Sequence, residues 1–215
     1  MMHKLDRPKA VIFDWDNTLV STWDAIANVV NHVLAHFDMD LWTIEDIKQK
    51  THLSAKDYFP IIFKEKSDEA LAVLQKYLVE GHAEQLQKIK PMQGAESFLK
   101  RLQELNIPCA ILSNKQGNRL RMEVEYFGWF HYFSGVFGST DFKEDKPSAL
   151  PVLEILKKFS WESSQTWFIG DTPVDWLCAK NSGCVPISIV KNCLELQPSF
   201  VFDGCGSLEK LFSKK

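Results

Sequence analysis

Ala10-Val11-Ile12-Phe13-Asp14-Trp15-Asp16-Asn17-Thr18 runs four apolar residues directly into two carboxylates spaced i and i+2. The apolar run is too short for an isolated helix and suits a strand buried on both faces. Asp14 and Asp16 then fall at or just beyond the strand's C-terminal end, where open parallel sheets bind ligands. Two acids beside an apolar core are costly unless a cation or a proton compensates them. The segment therefore points to a metal-assisted site with paired carboxylate chemistry. The plainer alternative is a polar turn, since Asp, Asn and Thr are common turn residues.

The chain around this segment has 215 residues, enough for one sizeable domain or a domain carrying a substantial insertion. Hydrophobic residues at 45% and charged residues at 25% supply a globular core. The net charge is −3 and no lysine or arginine block stands out. Neither a nucleic acid polymer nor a membrane surface is expected as a partner, and no apolar run approaches spanning length. The opening Met1-Met2-His3-Lys4-Leu5-Asp6-Arg7-Pro8 lacks the apolar core of a signal peptide. The five cysteines, Cys109, Cys178, Cys184, Cys193 and Cys205, form no Cys-x-x-Cys pair. Cys109 and Cys184 sit in apolar runs and read as small core residues. A reducing, cytoplasmic setting is the expectation; monomer and homodimer stay equally open.

Downstream of Thr18 the periodicity changes. Ala25, Ile26, Val29, Val30, Val33, Leu34 and Phe37 recur at helical spacing over about 22–37. Thr43 to Lys50 predicts a short helix with Thr43 as its cap and Asp46 three residues on, and Tyr58–Phe63 suits another. Ser67 to Ile89 predicts one longer helix capped by Ser67, with Ala70, Leu71, Leu74, Tyr77 and Leu78 on one stripe. No strand is expected between Thr22 and Ile89. Pro91 and Gly94 then punctuate the chain, and strands alternate with helices. Strands are expected at Ile107–Leu112, Val136–Phe137, Thr166–Ile169, Val185–Val190 and Phe200–Phe202. Helices are expected around Phe98–Leu105, over Gly117–Phe127, from Lys146-Pro147 onward with Leu150, Leu153, Leu156 and Phe159 as its stripe, and over Pro173–Asn181. This alternation predicts an α/β fold: a Rossmann-like parallel sheet sandwiched by helices. The core domain takes 1–20 and 90–215. An all-helical domain, 21–89, is inserted after the first strand, with two connections placed to let it act as a lid; the plainer alternative is a fixed helical subdomain that only adds stability.

Four strand-to-helix junctions carry polar residues. The first holds Asp14 and Asp16. The second, Ser113-Asn114, suits a helix cap, and equally a phosphate at a helix start. The third is Lys146-Pro147: with Pro147 as the first helical residue, Lys146 faces the positive end of the helix dipole and needs an anion. Glu144 and Asp145 could supply it. In the fourth, Gly170-Asp171-Thr172-Pro173-Val174-Asp175, a Thr172/Asp175 capping box would account for Asp175 but not for Asp171. Together the junctions bring carboxylates, a lysine and a hydroxyl to one sheet edge. The carboxylates call for a hard cation, most simply Mg²⁺; the lysine, hydroxyl and helix start call for an anion. Those are the parts of a phosphoryl-transfer site.

With these four motifs in this order, the chain resembles the haloacid dehalogenase superfamily over essentially its whole length. The helical insertion after the first motif resembles the cap of the phosphoglycolate phosphatase and β-phosphoglucomutase branch. The resemblance implies that Asp14 is a nucleophile forming an aspartyl-phosphate. It implies that Asp16 protonates the leaving oxygen and then activates water. Mg²⁺ would be held by Asp14, the backbone carbonyl of Asp16, and Asp171, with Asp175 in or near the layer of groups just behind these ligands. Ser113 and Lys146 would hold the phosphoryl oxygens, with Thr18 and Asn114 supporting the substrate-binding groups through hydrogen bonds. Dehalogenases of the superfamily lack an acid where Asp16 stands, so its presence favours a phosphatase or phosphomutase.

The activity so implied is Mg²⁺-dependent hydrolysis of a small phosphorylated metabolite: phosphoglycolate, a sugar phosphate or a nucleotide. A phosphomutase and a non-catalytic phospho-ligand-binding module are the alternatives. Substrate choice is expected around Thr51-His52-Leu53-Ser54-Ala55-Lys56, where His52 and Lys56 could meet an anion or simply face solvent. Trp15, Trp129 and Trp176 read as core packing. His32 and His36 have metal-ligand spacing but no third ligand, and read as a solvated face.

Overall fold

The computed structural model describes residues 5–50, 55–190, 198 and 200–212. The chain divides into two compact units: Met1–Val20 with Pro91–Lys215, and Ser21–Lys90.

The first unit is built on a six-stranded sheet: β1 (Ala10–Phe13), β2 (Cys109–Leu112), β3 (Phe133–Phe137), β4 (Thr166–Gly170), β5 (Val185–Ser188) and β6 (Phe200–Val201). Its order is β3-β2-β1-β4-β5-β6, and every pairing is parallel. The order reverses direction between β1 and β4, which makes the crevice beyond their C-terminal ends the ligand-binding position of such a sheet. β1 is central because nothing in it is polar: Val11, Ile12 and Phe13 are wholly buried. Each such side chain stabilises the fold by roughly 1.5–3 kcal/mol. Side-chain alternation sends Ile12 to one face, with Val152, Ile155, Leu156, Phe168, Cys178 and Ala179. Phe13 goes to the other, edge-on to Phe98 at 5.9 Å between centroids.

The helices on this sheet are Ala95–Glu104, Gly117–Tyr126, Leu150–Phe159, Pro173–Ser182 and Gly204–Glu209. Leu150–Phe159 departs from the sequence reading twice. It begins at Leu150 and not at Pro147, because the proline that fills its first turn is Pro151. Its buried side carries Val152, Ile155 and Leu156, while Leu153 is about half exposed at 48%. Val152-Ile155-Leu156-Phe159 is as regular a stripe as the one built on Leu150 and Leu153, and the later start gives it the core.

The second unit is helical: Trp23–His36, Ile44–Lys50, Ala55–Phe63, Ser67–Glu80 and His82–Lys88. Thr43 and Asp46 cap the second of these reciprocally, Thr43 N–H donating to Asp46 Oδ2 at 3.0 Å and Asp46 N–H to Thr43 Oγ1 at 3.1 Å. The single helix expected over Ser67–Ile89 is two, parted at Gly81, where the glycine gives up helix propensity. Ser67 does not cap it either; a 3₁₀ turn, Lys64–Lys66, leads in and Ser67 is already helical. The core of this unit gathers Val30, Val33, Leu34, Ile47, Tyr58, Phe59, Phe63 and Ala70.

Cys109, Cys178, Cys184 and Cys205 are buried free thiols, and burial pushes Cys178 up to about 12 and Cys184 to about 11. Cys193 lies outside the described residues, as does the segment 51–54 within Thr51–Lys56. No helix among the described residues is long and apolar enough to cross a membrane.

Candidate active site

β1 ends at Phe13, and the chain turns at once. Asn17 takes φ 58°, the left-handed conformation that asparagine tolerates better than most residues. Trp15 O accepts the N–H groups of Leu19 at 3.0 Å and Val20 at 3.2 Å. This tight loop projects Asp14 and Asp16 from the sheet edge. Parallel register places Phe13 beside Ile169, and Asp14 N–H donates to Ile169 O at 2.9 Å. Asp171, one residue past β4, therefore stands next to Asp14 although 157 residues apart in sequence would allow any separation. Thr18, wholly buried, donates its hydroxyl to Asp171 Oδ1 at 3.2 Å.

Asp175 comes from the first turn of Pro173–Ser182. Its Oδ2 accepts Thr172 N–H at 3.1 Å and Thr172 Oγ1 at 2.6 Å, the capping box read from sequence. Its Oδ1 accepts Lys146 Nζ at 2.7 Å, so the same carboxylate serves cap and site together. Asp14, Asp171 and Asp175 offer carboxylate oxygens that all lie within 4.8 Å of one another.

Lys146 is the cation among them. Its Nζ donates to Asp14 Oδ1 at 2.6 Å as well as to Asp175, and it is almost fully buried. From sequence, Lys146 is expected at a helix N-terminus with Glu144 and Asp145 as its partners. The helix starts four residues later, and the compensating anions are Asp14 and Asp175. Asn114 fixes this lysine's backbone from both sides: Nδ2 donates to Lys146 O at 2.9 Å and Oδ1 accepts Lys146 N–H at 3.0 Å. Ser113 is buried just past β2, its Oγ accepting Lys115 N–H at 3.1 Å and its own proton free to turn toward a ligand. Neither residue is the cap of Gly117–Tyr126, whose N-cap is Gln116.

Burial dominates the titration here. It raises Asp14 to about 7 from 3.8; Lys146 pulls the other way, while Asp175 and Asp16 add to the rise. Asp171 is raised well above its ordinary value by burial, then by Asp14 and Asp175. Burial would lower Lys146, but Asp14 and Asp175 outweigh it and hold the ammonium above its usual value. Fully ionised, three carboxylates face one ammonium and the site carries two excess negative charges. A divalent cation would balance them.

Two residues beside the site, Lys115 and Glu123, carry no assignment from sequence, and Trp15, expected only as core packing, also makes a polar contact there. Lys115 bridges Asp16 and Glu123, and Trp15 donates its indole N–H to Glu123. A signal for Glu123 was present: it shares the apolar side of its helix with Leu120 and Val124, where an acid needs a cation. Trp15 and Trp129 pack edge-on at 5.9 Å, as core aromatics do. In the helical unit His32 stacks on Tyr77 at 3.7 Å and His36 faces Glu69 at 3.8 Å. The only group of three or more candidate metal ligands among the described residues is Asp14, Asp171 and Asp175.

Comparison with known proteins finds similar phosphatases and hydrolases. A phosphoglycolate phosphatase of Chromobacterium violaceum is 28% identical over 189 residues, 84% of each chain. The pyrophosphatase PpaX of Anoxybacillus flavithermus is 25% identical over 173 residues, 80% of this chain and 79% of its own. The crystal structure of a haloacid dehalogenase-superfamily hydrolase from Ehrlichia chaffeensis superposes with a TM-score of 0.67 at 30% identity, covering 97% of this chain and 98% of that one. The family profile of haloacid dehalogenase-like hydrolases matches residues 11–189, from within β1 to just past β5. With that match running from β1 past β5 and taking in all four polar junctions, the chain belongs to the haloacid dehalogenase-like hydrolase family.

Proposed function

We propose that this protein is a Mg²⁺-dependent phosphatase that hydrolyses a small phosphomonoester through an aspartyl-phosphate on Asp14. The observation that carries the reading is the placement of Lys146 Nζ between Asp14 and Asp175, beside Asp171, at the switch point of the sheet. The donor set fits the metal: all-carboxylate oxygens suit a hard cation. Oxygens of Asp14, Asp171 and Asp175 converge to within 4.8 Å of one another, close enough for one ion to draw on all three. When bound, Mg²⁺ supplies the positive charge that lets Asp14 ionise and offsets charge on the phosphoryl group.

The chain's own groups do the rest. Asp14 forms a bond from a carboxylate oxygen to phosphorus as the bond to the leaving oxygen breaks, and Asp16 gives that oxygen a proton. Water then attacks phosphorus, the bond to Asp14 breaks, and Asp16 takes the water's proton. Lys146 commits two of its three hydrogens to Asp14 and Asp175, which leaves one for a phosphoryl oxygen. Ser113 offers its hydroxyl to the same group. Thr18 and Asn114 act by holding Asp171 and Lys146 in place.

The helical unit, whose chain leaves after Val20 and returns at Pro91, is assigned the part of a cap from its point of insertion. The named relatives frame the substrate panel: phosphoglycolate, sugar phosphates, nucleotides and inorganic pyrophosphate. Phosphate release is measured with Mg²⁺, with EDTA, and with Asp14→Asn. Release that needs both Mg²⁺ and Asp14 supports the reading. No release from any member, with tight Mg²⁺-dependent ligand binding, would favour a binding module. Interconversion of phosphate isomers without net release would favour a mutase.

A further inference from the structure

Lys115 directly follows Ser113-Asn114, where a lysine invites the role of phosphate ligand. Its hydrogens are already placed. Nζ donates to Asp16 Oδ1 at 2.7 Å and lies 2.8 and 2.7 Å from the two oxygens of Glu123. An ammonium has three hydrogens, so none remains for substrate. Glu123 is buried, and its Oε2 also accepts the indole N–H of Trp15 at 2.7 Å. Trp15 is itself locked, wholly buried, edge-on to Trp129 and tilted against Phe127 at 6.3 Å. Trp15 and Asp16 are neighbours in sequence, so indole, carboxylate, ammonium and carboxylate close a ring through the backbone. Each buried polar group in it is satisfied by the next.

We infer that Lys115 is a positioning residue for Asp16, itself held by Glu123 and Trp15, and that it occupies Oδ1 so that Oδ2 is the oxygen that exchanges protons with the reacting group. This rests on the proposed phosphatase reading, which gives Asp16 its proton to move. A carboxylate free to swing would aim its free oxygen away from the reacting group for part of the time, and loss of such alignment costs about 10²-fold in rate.

The test compares Lys115→Met, Lys115→Arg, Glu123→Gln and Asp16→Asn on two esters. The leaving group of 4-nitrophenyl phosphate departs without a proton; that of an alkyl monoester such as phosphoglycolate requires one. Lys115→Met is expected to lower kcat on the alkyl ester by about 10²-fold, with KM little changed. On the aryl ester it should keep a fast burst of nitrophenol followed by slow turnover, because only the water step then needs Asp16. Asp16→Asn should show the same pattern more strongly, Lys115→Arg should recover part of the loss, and Glu123→Gln should fall between. A raised KM with unchanged kcat would make Lys115 a substrate ligand and overturn the inference. So would an equal loss on both esters, burst included.

A second readout needs no substrate. The urea midpoints of Asp16→Asn, Lys115→Met and the double variant should be non-additive; additive shifts overturn the pairing. If wild type hydrolyses neither ester while the midpoints remain coupled, the phosphatase reading fails and the positioning contact stands.

Discussion

Lys146 Nζ stands 2.6 Å from Asp14 Oδ1 across 132 residues of chain, and the two are both buried. Removing one partner of a buried ion pair costs about 3–5 kcal/mol, because the other charge is left without compensation. Lys146→Met keeps an unbranched apolar stem out to Cε and removes the ammonium. In chelator at pH 8 it should destabilise the protein by that amount, read from urea unfolding, and the loss should shrink at pH 5.5 as the carboxylates protonate. A midpoint equal to wild type at pH 8 would contradict the pairing.

Metal-free stability should fall as pH rises from about 4 to about 7. The folded protein holds Asp14 at about 7 and the unfolded chain near 3.8. In that window the folded state keeps a proton that the unfolded state has released, so stability declines with pH, by at most about 1.4 kcal/mol per unit for one proton. Asp171 and Glu123, also raised by burial, add in the same direction. Lys146, raised from 10.5, contributes a constant amount throughout the window. Urea midpoints in EDTA between pH 5 and 7.5 check this; a rising midpoint would refute it. Mg²⁺ should reverse the slope, since it binds the deprotonated carboxylates.

Asn114→Ala should mimic partial loss of Lys146 while leaving that lysine in place. The amide makes two hydrogen bonds to the Lys146 backbone, at 2.9 and 3.0 Å. Without them the ammonium is aimed by its own flexible stem, and misplacement of this kind costs about 10²-fold in turnover. Steady-state kinetics on the best substrate decide it; wild-type kcat would show that the clamp is idle.

Gly170→Ala should disturb the acidic cluster from behind. A Cβ at Gly170 would come within 2.5 Å of Asp175 Cγ and Oδ2. Asp175 cannot yield without leaving Lys146 or Thr172. Overpacking costs about 1–3 kcal/mol, and Mg²⁺ affinity should weaken with it. Calorimetric titration of Mg²⁺ into the variant measures this; wild-type affinity would mean that Asp175 does not depend on its contact with that glycine.

The candidate site's residues were legible in the sequence because they sit where local signals change character. β1, β2 and β4 are apolar runs that stop at Asp14, Ser113 and Asp171, and a run that stops at a polar residue marks a strand end without any knowledge of the fold. The Thr172/Asp175 box was legible for the same reason, being a contact over three residues. Where local signals were degenerate the reading failed: two prolines, Pro147 and Pro151, could each open the same helix, and Gly81 could interrupt one or pass unnoticed.

The sequence by itself therefore determined which residue types end the strands, that strands and helices alternate, and which carboxylates and lysine were available. These follow from backbone preference and hydrophobic periodicity, which act over a few residues. Only the tertiary structure decided who pairs with whom: Lys146 with Asp14 and Asp175, Lys115 with Asp16 and Glu123, Trp15 with Glu123. The three longest separations among these pairs are 132, 99 and 108 residues; β1 lies in parallel register against β2 and β4, and Asn114, just past β2, holds the Lys146 backbone beside them. Burial then enforces the choice, because a charge withdrawn from water must take the partner that the register brings within reach.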